Sequence, residues 1–157
     1  MTINTTVIGS PLTSTSVLFS IVDILASVGR DWEMLHGLPT QVPVFQASLR
    51  TMDGAPYWDV NGRKITPDAM LNEAPHPDLV IVPDIQLDPN GRFPEDHRTM
   101  ADWIASAYSR GAIVASVCSG AVLVGAAGLL DGKEATTHWG YAEMLGRNFP
   151  EVKVCCE

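Results

Sequence analysis

Two short stretches of the sequence, residues 78–83 and 112–117, are apolar with almost no alternation. A strand with one face in water alternates apolar and polar residues, whereas a strand covered on both faces is apolar throughout. The two stretches therefore predict buried strands with helices packed on both sides. Parallel sheets are the usual source of such strands, because each crossover helix lies against a face of the sheet.

Stretches with helical periodicity lie between the predicted strands. Apolar residues recur at helical spacing in residues 14–28 and in residues 95–110, and a glycine follows each stretch. The other predicted elements are strands at 5–9, 42–49 and from 152 onward, a hairpin over 57–65 that turns at Asn61-Gly62, a loop over 86–94 and a helix over 138–148. This alternation of strands and helices predicts an α/β fold with three layers around a parallel sheet.

The composition fits one folded domain over residues 1–157 and excludes several classes of function. The chain has 157 residues, of which 46% are hydrophobic, enough for one sizeable core. Its 18 acidic and 10 basic side chains give a net charge of -8, which disfavours direct binding of nucleic acid. No apolar run has the length of a membrane helix and no secretory signal is present, so we expect a cytoplasmic protein without a membrane partner.

Two further patterns bear on cofactors and on the extent of the domain. The four histidines are scattered singly and no phosphate-binding glycine motif occurs, so we expect no metal and no other cofactor. The chain ends on Cys155-Cys156-Glu157, soon after a predicted strand begins. A doubly wound sheet would continue with a further helix and strand, so we expect a domain that is incomplete at its C-terminal end.

The strongest chemical signal is residues 115–120, which read Ala-Ser-Val-Cys-Ser-Gly and join a predicted strand to a helix rich in small residues. A nucleophile elbow has this arrangement, with Cys118 here in the place of the serine of hydrolases. The helix N-terminus beneath the turn favours negative charge, and the backbone N–H of Ser119 would point to where an oxyanion could form. A cysteine simply packed beside the sheet is the structural alternative.

A second signal is the segment Ala-Thr-Thr-His-Trp at residues 135–139. If His138 returns to the carboxyl edge of the same sheet, its imidazole could act as a base toward the Cys118 thiol. A histidine beside a tryptophan can equally be a structural residue, so the spacing leaves both interpretations open.

Residues 111–150 resemble the ThiJ/PfpI family of the class I glutamine amidotransferase-like superfamily. The similar motifs are Ala-Ser-Val-Cys-Ser-Gly, Gly-Leu-Leu-Asp-Gly, Ala-Thr-Thr-His-Trp and Asn-Phe-Pro, and weaker similarity extends back to residue 5. The resemblance is closest to the N-terminal domains of AraC-type transcriptional regulators. It implies a flavodoxin-like sheet, Cys118 as the elbow nucleophile, His138 as the nearby histidine, and a homodimer.

Two departures from the family pattern count against amide-type hydrolysis. Active members carry an acid early in the first helix that hydrogen-bonds the cysteine, whereas this chain has Ser16 and Val17 there. Members also often carry Pro-Gly-Gly after the mid-chain strand, where this chain has Pro-Asp-Ile at residues 83–85. The carboxylate of Asp84 would repel an oxyanion, replace the missing acid, or cap a loop turn.

Three functions are compatible with these residues. The one we favour is a ligand-sensing regulatory domain of an AraC-type regulator, which binds a small molecule and contacts DNA only through a module outside this chain. The second is a stand-alone cysteine-dependent hydrolase, hydratase or glyoxalase-type enzyme. The third is a redox sensor in which Cys118 is oxidised to a sulfenic or sulfinic acid. The predicted pocket residues around Cys118 are Asp84, Ser16, Val17 and Trp139.

Overall fold

A five-stranded parallel sheet organises the computed structural model, which describes residues 2–40, 43–73 and 75–155. The strands are β1 (Ile3–Ile8), β2 (Phe45–Thr51), β3 (Tyr57–Trp58), β4 (Lys64–Ile65), β5 (Ala69–Met70), β6 (Leu79–Val82), β7 (Ile113–Ser116), β8 (Glu134–Ala135) and β9 (Lys153–Val154). The helices are α1 (Thr15–Ser27), α2 (Asp31–Leu35), α3 (Arg98–Ser109), α4 (Gly120–Ala126) and α5 (Ala142–Asn148), with 3₁₀ turns at Glu95–His97 and Trp139–Tyr141.

The order of strands in the main sheet is β5-β2-β1-β6-β7, and each pairing is parallel. The first strand therefore lies in the middle, with the second strand on one side and the later strands on the other. Apart from the two-residue edge strand β5, this sequence of strands matches the first four positions of the flavodoxin-like order 2-1-3-4-5. The predicted flavodoxin-like fold is confirmed.

Side chains alternate between the two faces of the sheet, which creates two cores on opposite sides. Val7 and Leu49 point to one face, where they pack with Leu18 of α1. Ile8 and Val80 point to the other face, where they pack with residues of α3 and α4. The predicted three-layer arrangement is therefore present, with α1 on one face and α3 and α4 on the other.

The exposure of β7 corrects one prediction. The apolar run at residues 112–117 predicts a strand covered on both faces, but Ile113 is 69% exposed and Val117 is 37% exposed. Val114, which points to the opposite face, does pack against the larger core. Because β7 lies at an edge of the sheet and α1 packs mainly on β1 and β2, one face of β7 has no covering helix within the described ranges.

Other elements differ from the sequence prediction in extent or in partner. The predicted hairpin over 57–65 is confirmed as the antiparallel pair β3–β4. The strand predicted at 42–49 runs instead over Phe45–Thr51, and Val42 lies outside the described residues. The strand predicted from residue 152 is β9, which pairs with the unpredicted β8 in a separate small sheet. The helix α2 and the strand β5 were also not predicted.

Candidate functional site

The predicted elbow is present at the end of β7. Cys118 has a φ of 58°, the one positive φ of a non-glycine residue among those described. A left-handed backbone is unfavourable for a residue with a Cβ, so its surroundings must hold the turn in place. The Cys118 side chain is exposed, and α4 begins two residues later. The turn therefore presents the thiol at the carboxyl edge of the sheet.

Gly120 lets α4 begin directly against the end of β6. A Cβ at this position would lie 2.3 Å from the carbonyl oxygen of Pro83 and 2.4 Å from that of Val82. These backbone oxygens cannot move aside as a flexible side chain can. Because Gly120 has no side chain, the elbow can lie directly over the end of β6.

Ser119 contributes its side chain in addition to the predicted backbone N–H. The Oγ of Ser119 donates to the carbonyl oxygen of Ile85 at 2.8 Å and accepts from the N–H of Ile85 at 2.9 Å. A hydroxyl can do both because it has one donor and two lone pairs. Ser119 is only 3% exposed, so this pair of bonds is shielded from water. This pair of hydrogen bonds, which we call the Ser119 clamp, links the segment after β6 to the elbow. The sequence pattern contains no signal for it.

The loop over residues 83–94, which follows β6, is held by hydrogen bonds at the same edge of the sheet. The hydroxyl of Tyr141 donates to the carbonyl oxygen of Leu87 at 3.0 Å and accepts from its N–H at 3.2 Å. The Oδ1 of Asn148 accepts from the N–H of Phe93 at 2.9 Å, and Arg147 donates to two further carbonyls of the loop. The loop has no regular structure, yet its backbone is anchored to α5 and to the turn that precedes α5.

The carboxylate of Asp84 is bound at the start of α1. Asp84 is 8% exposed and accepts from the backbone N–H of Ser14 at 3.3 and 3.4 Å and from its hydroxyl at 2.6 Å. Ser14 is the residue before the first turn of α1, where the positive end of the helix dipole favours an anion. Asp84 thus joins the end of β6 to the start of α1.

A second carboxylate, that of Asp59, reaches the same end of α1. Asp59 is 6% exposed and accepts from the hydroxyl of Thr15 and from the N–H groups of Asn61 at 2.9 Å and Arg63 at 2.7 Å. The Thr15 hydrogen bond is the main cause that lowers the pKa of Asp59, and the bond from Arg63 N–H adds to it. The Asp-x-Asn-Gly turn could have indicated the backbone contacts. The contact with α1 has no local signal.

We expect Asp59 to stabilise the fold at neutral pH and to lose this effect in acid. A carboxyl group whose folded pKa lies below its unfolded value of about 3.9 contributes fully above that value, and the contribution is lost as pH falls through the folded pKa. The variant D59N lacks this contribution at every pH. The difference in urea midpoint between wild type and D59N should therefore be constant above about pH 5 and shrink as pH falls below about 3.9. A difference that stays constant over the whole pH range would contradict the assignment.

The predicted histidine lies beside the elbow but is hydrogen-bonded elsewhere. The hydroxyl of Thr137 donates to the carbonyl oxygen of Cys118 at 3.1 Å, which holds this segment at the turn. The Nδ1 of His138 accepts from the N–H of Gly140 at 3.1 Å, so a neutral ring carries its proton on Nε2. The remaining ring nitrogen is then a donor and not a base. Within the described ranges, no hydrogen bond involves the sulfur of Cys118.

The three other predicted pocket residues lie on two separate segments, the first turn of α1 and the turn before α5. Ser16 is exposed and Val17 is half-buried in the first turn of α1. Trp139 is 85% exposed and packs beside His138, with 5.2 Å between the ring centroids. None of these three side chains makes a hydrogen bond to another described residue. The side chains of Ser16 and Trp139 are therefore both accessible to solvent.

A cavity of about 200 Å³ lies at the carboxyl ends of β1 and β2, and sequence reasoning missed it. Pro11, Met52 and Tyr57 are among its lining residues, whereas Cys118 is not. Burial and the nearby Asp59 raise the pKa of Tyr57 to about 12, so its hydroxyl is a neutral donor at physiological pH. The cavity thus combines apolar walls with the hydrogen-bonding side chains of Ser10, Thr51, Asp53 and Tyr57.

Three further observations concern metals, membranes and the C-terminal cysteines. Across residues 2–40, 43–73 and 75–155, no three His, Cys, Asp or Glu side chains are grouped as metal ligands. None of the helices in these ranges is both long and apolar enough to cross a bilayer. Cys155 is exposed at the end of β9, and Cys156 lies outside the described residues.

Known proteins share both the sequence pattern and this architecture. The model of the DJ-1/PfpI family matches residues 31–156. Isonitrile hydratase from Pseudomonas putida is 36% identical over 104 residues, which cover 66% of this chain and 44% of the hydratase. The HTH-type transcriptional regulator GbdR from Pseudomonas aeruginosa is 31% identical over 102 residues, which cover 65% of this chain and 27% of the regulator. The matching region therefore spans less than half of either relative.

A solved structure supports the fold at lower sequence identity. The crystal structure of an AraC family transcriptional regulator from Pseudomonas putida superposes with a TM-score of 0.73 at 17% identity. The superposition covers 99% of this chain and 77% of that one. The family match over most of the chain agrees with the strand order and with the strained cysteine turn after β7. This chain belongs to the DJ-1/PfpI family.

Proposed function

We propose that this chain is the ligand-sensing domain of an AraC-type transcriptional regulator whose DNA-binding module lies outside it. The observation that carries the proposal is an elbow whose cysteine has no catalytic partner among the described residues. Asp84 is engaged with Ser14, His138 accepts from Gly140, and no described residue hydrogen-bonds the Cys118 sulfur. A nucleophile requires an adjacent base or another activating group, whereas a binding turn does not.

The sequence relatives support the proposal in part. The similarity to GbdR favours a regulatory domain, and the net charge of -8 fits a chain that leaves DNA contact to another module. The similarity to isonitrile hydratase favours an enzyme. We favour the regulator because no residue in the described part of the chain hydrogen-bonds the Cys118 sulfur.

The proposed ligand site lies outside the carboxyl ends of β1, β6 and β7. In open α/β sheets, ligands bind where the strand order reverses, which in this sheet is between β1 and β6. The proposed lining consists of Cys118, the Ser119 backbone N–H, Asp84, Ser16, Val17 and Trp139. The exposed indole of Trp139 would supply an apolar surface for a small molecule. We further propose that the regulator acts as a homodimer, as the family resemblance implies.

Thermal shifts in a panel of small metabolites test this proposal. We expect at least one compound to raise the Tm saturably, since a ligand at 100 times its Kd stabilises the native state by about 2.7 kcal/mol. The rise should persist in C118S and weaken in W139A. The matched control W58A replaces another exposed tryptophan, on the β3–β4 hairpin, and should respond as wild type does. A panel without any saturable shift, or a shift unaffected in W139A, would overturn the proposal.

The alternative is a cysteine-dependent hydratase, which the 36% identity to isonitrile hydratase favours. Such an enzyme would add water to the terminal carbon of an isonitrile and yield an N-substituted formamide. Incubation with an alkyl isonitrile, followed by proton NMR, would detect this product. Formamide produced by wild type but not by C118A would replace the regulator proposal with an enzyme.

A further inference from the structure

The sheet carries a buried guanidinium that has no carboxylate partner in the part of the chain that the structure describes. Arg50 pairs in register with Ile8, so it points to the face that carries α3, and it is only 6% exposed. Its Nε donates to the hydroxyl of Ser48 at 2.9 Å, and its Nη1 donates to the carbonyl oxygen of Glu73 at 2.5 Å. No carboxylate of the described residues lies within 4.0 Å of its nitrogens.

This arrangement leaves the charge of Arg50 uncompensated. The hydroxyl of Ser48 and the carbonyl of Glu73 satisfy two donors but supply no negative charge. Arginine is rarely buried without a charged partner, because removal of a charge from water is strongly unfavourable. Acidic residues outnumber basic ones by 18 to 10 in this chain, so a shortage of carboxylates does not explain the missing partner.

Arg50 lines a cavity of about 50 Å³ over the face of β1 and β2 that it points to, next to Pro75 and Pro77. Asn4, Thr6, Gln46 and Ser48 also line it and carry neutral hydrogen-bond donors, and no carboxylate is among the lining residues. A water molecule needs about 10–15 Å³ when a cavity is measured by the space open to the centre of a water-sized sphere. The cavity therefore has room for about three to five heavy atoms. Its size and charge both match a small anion.

We propose that this cavity binds a small oxyanion, either a short carboxylate or an inorganic oxyanion, through Arg50. The planar guanidinium presents parallel N–H donors that match the two oxygens of such a group. The amide and hydroxyl donors of the lining residues complete the site. The bound anion supplies the negative charge that the described residues do not place there. The site does not involve the elbow, so it is independent of the proposed sensing function.

Titration with sodium formate and with inorganic phosphate tests the site. Ionic strength is held constant with the salt of a sulfonate that is too large for the cavity. We expect a saturable rise in Tm for wild type that is lost in R50Q. The control R30Q removes an exposed arginine and should retain the rise. A response to formate alone identifies a carboxylate site, and a response to phosphate alone identifies an inorganic oxyanion site.

A second variant covers the case in which R50Q does not fold because the contact with Glu73 is lost. Q46E keeps Arg50 and places a carboxylate at the exposed side of the cavity. This internal carboxylate should replace the anion, so Q46E should have a higher Tm without anion and no saturable response. A wild-type response that does not saturate, or an equal response in Q46E, would be a general salt effect and would overturn the site.

Discussion

Replacement of Gly120 by alanine will destabilise the fold by about 3 kcal/mol, the upper end of the range for overpacking. The added methyl carbon would lie 2.3 Å from the carbonyl oxygen of Pro83 and 2.4 Å from that of Val82. The sheet sets the position of both oxygens, so the clash is relieved only if α4 moves away from β6. Urea unfolding followed by circular dichroism measures the loss.

The matched control is the same substitution at Gly146, in the interior of α5. A Cβ there would meet its nearest atom, in Val154, at 3.6 Å, which is an ordinary contact. Alanine is favoured over glycine inside a helix by about 1 kcal/mol, so G146A should be slightly more stable than wild type. Equal stabilities for G120A and G146A would show that the elbow is not packed against β6 as described.

Replacement of Ser119 by alanine will destabilise the fold by about 2 kcal/mol or more. The substitution removes the partner of both the N–H and the carbonyl oxygen of Ile85, and each buried group left unsatisfied costs about 1–3 kcal/mol. Hydrogen exchange should also accelerate at the Ile85 amide, because the loop after β6 loses its link to the elbow.

The control for this variant is S116A. Ser116 is exposed in β7 and its side chain makes no hydrogen bond to a described residue, so the change should stay within about 0.5 kcal/mol. If the Ile85 amide exchanges at the same rate in S119A as in S116A, the clamp does not hold the loop.

The fold was largely predictable because its main determinants are local. Apolar runs of four to six residues, helical periodicity and glycine stops identify the long strands and helices directly from neighbouring residues. The exposure of β7 was not predictable in this way, because burial of a strand depends on which other elements cover it. The strands β5 and β8 have two residues each and are held by pairing with distant strands, so they carry no periodicity of their own.

The candidate site was likewise predictable where it rests on neighbouring residues and not where it rests on distant contacts. The strand, cysteine turn and helix around Cys118 are contiguous in the sequence, so the elbow could be predicted from its own residues. The carboxylate contacts could not, because Asp84 is 70 residues from Ser14 and Asp59 is 44 residues from Thr15. The contacts of both carboxylates with the start of α1 depend on the tertiary fold. The pairing of His138 with Gly140 likewise depends on a turn that periodicity does not specify.

The central position of β1 has a consequence for synthesis on the ribosome. β2 pairs with one edge of β1 early in synthesis. The other edge stays unpaired until β6, which ends at Val82, has been made. At about 5–20 residues per second, that edge stays open for roughly 2–6 s after β2 has been made. The turn at Cys118 forms later still, since Gly120 must first meet the carbonyls of Val82 and Pro83. A chain interrupted before β6 would therefore present the unpaired edge of β1, prone to pair with other chains, in place of a binding site.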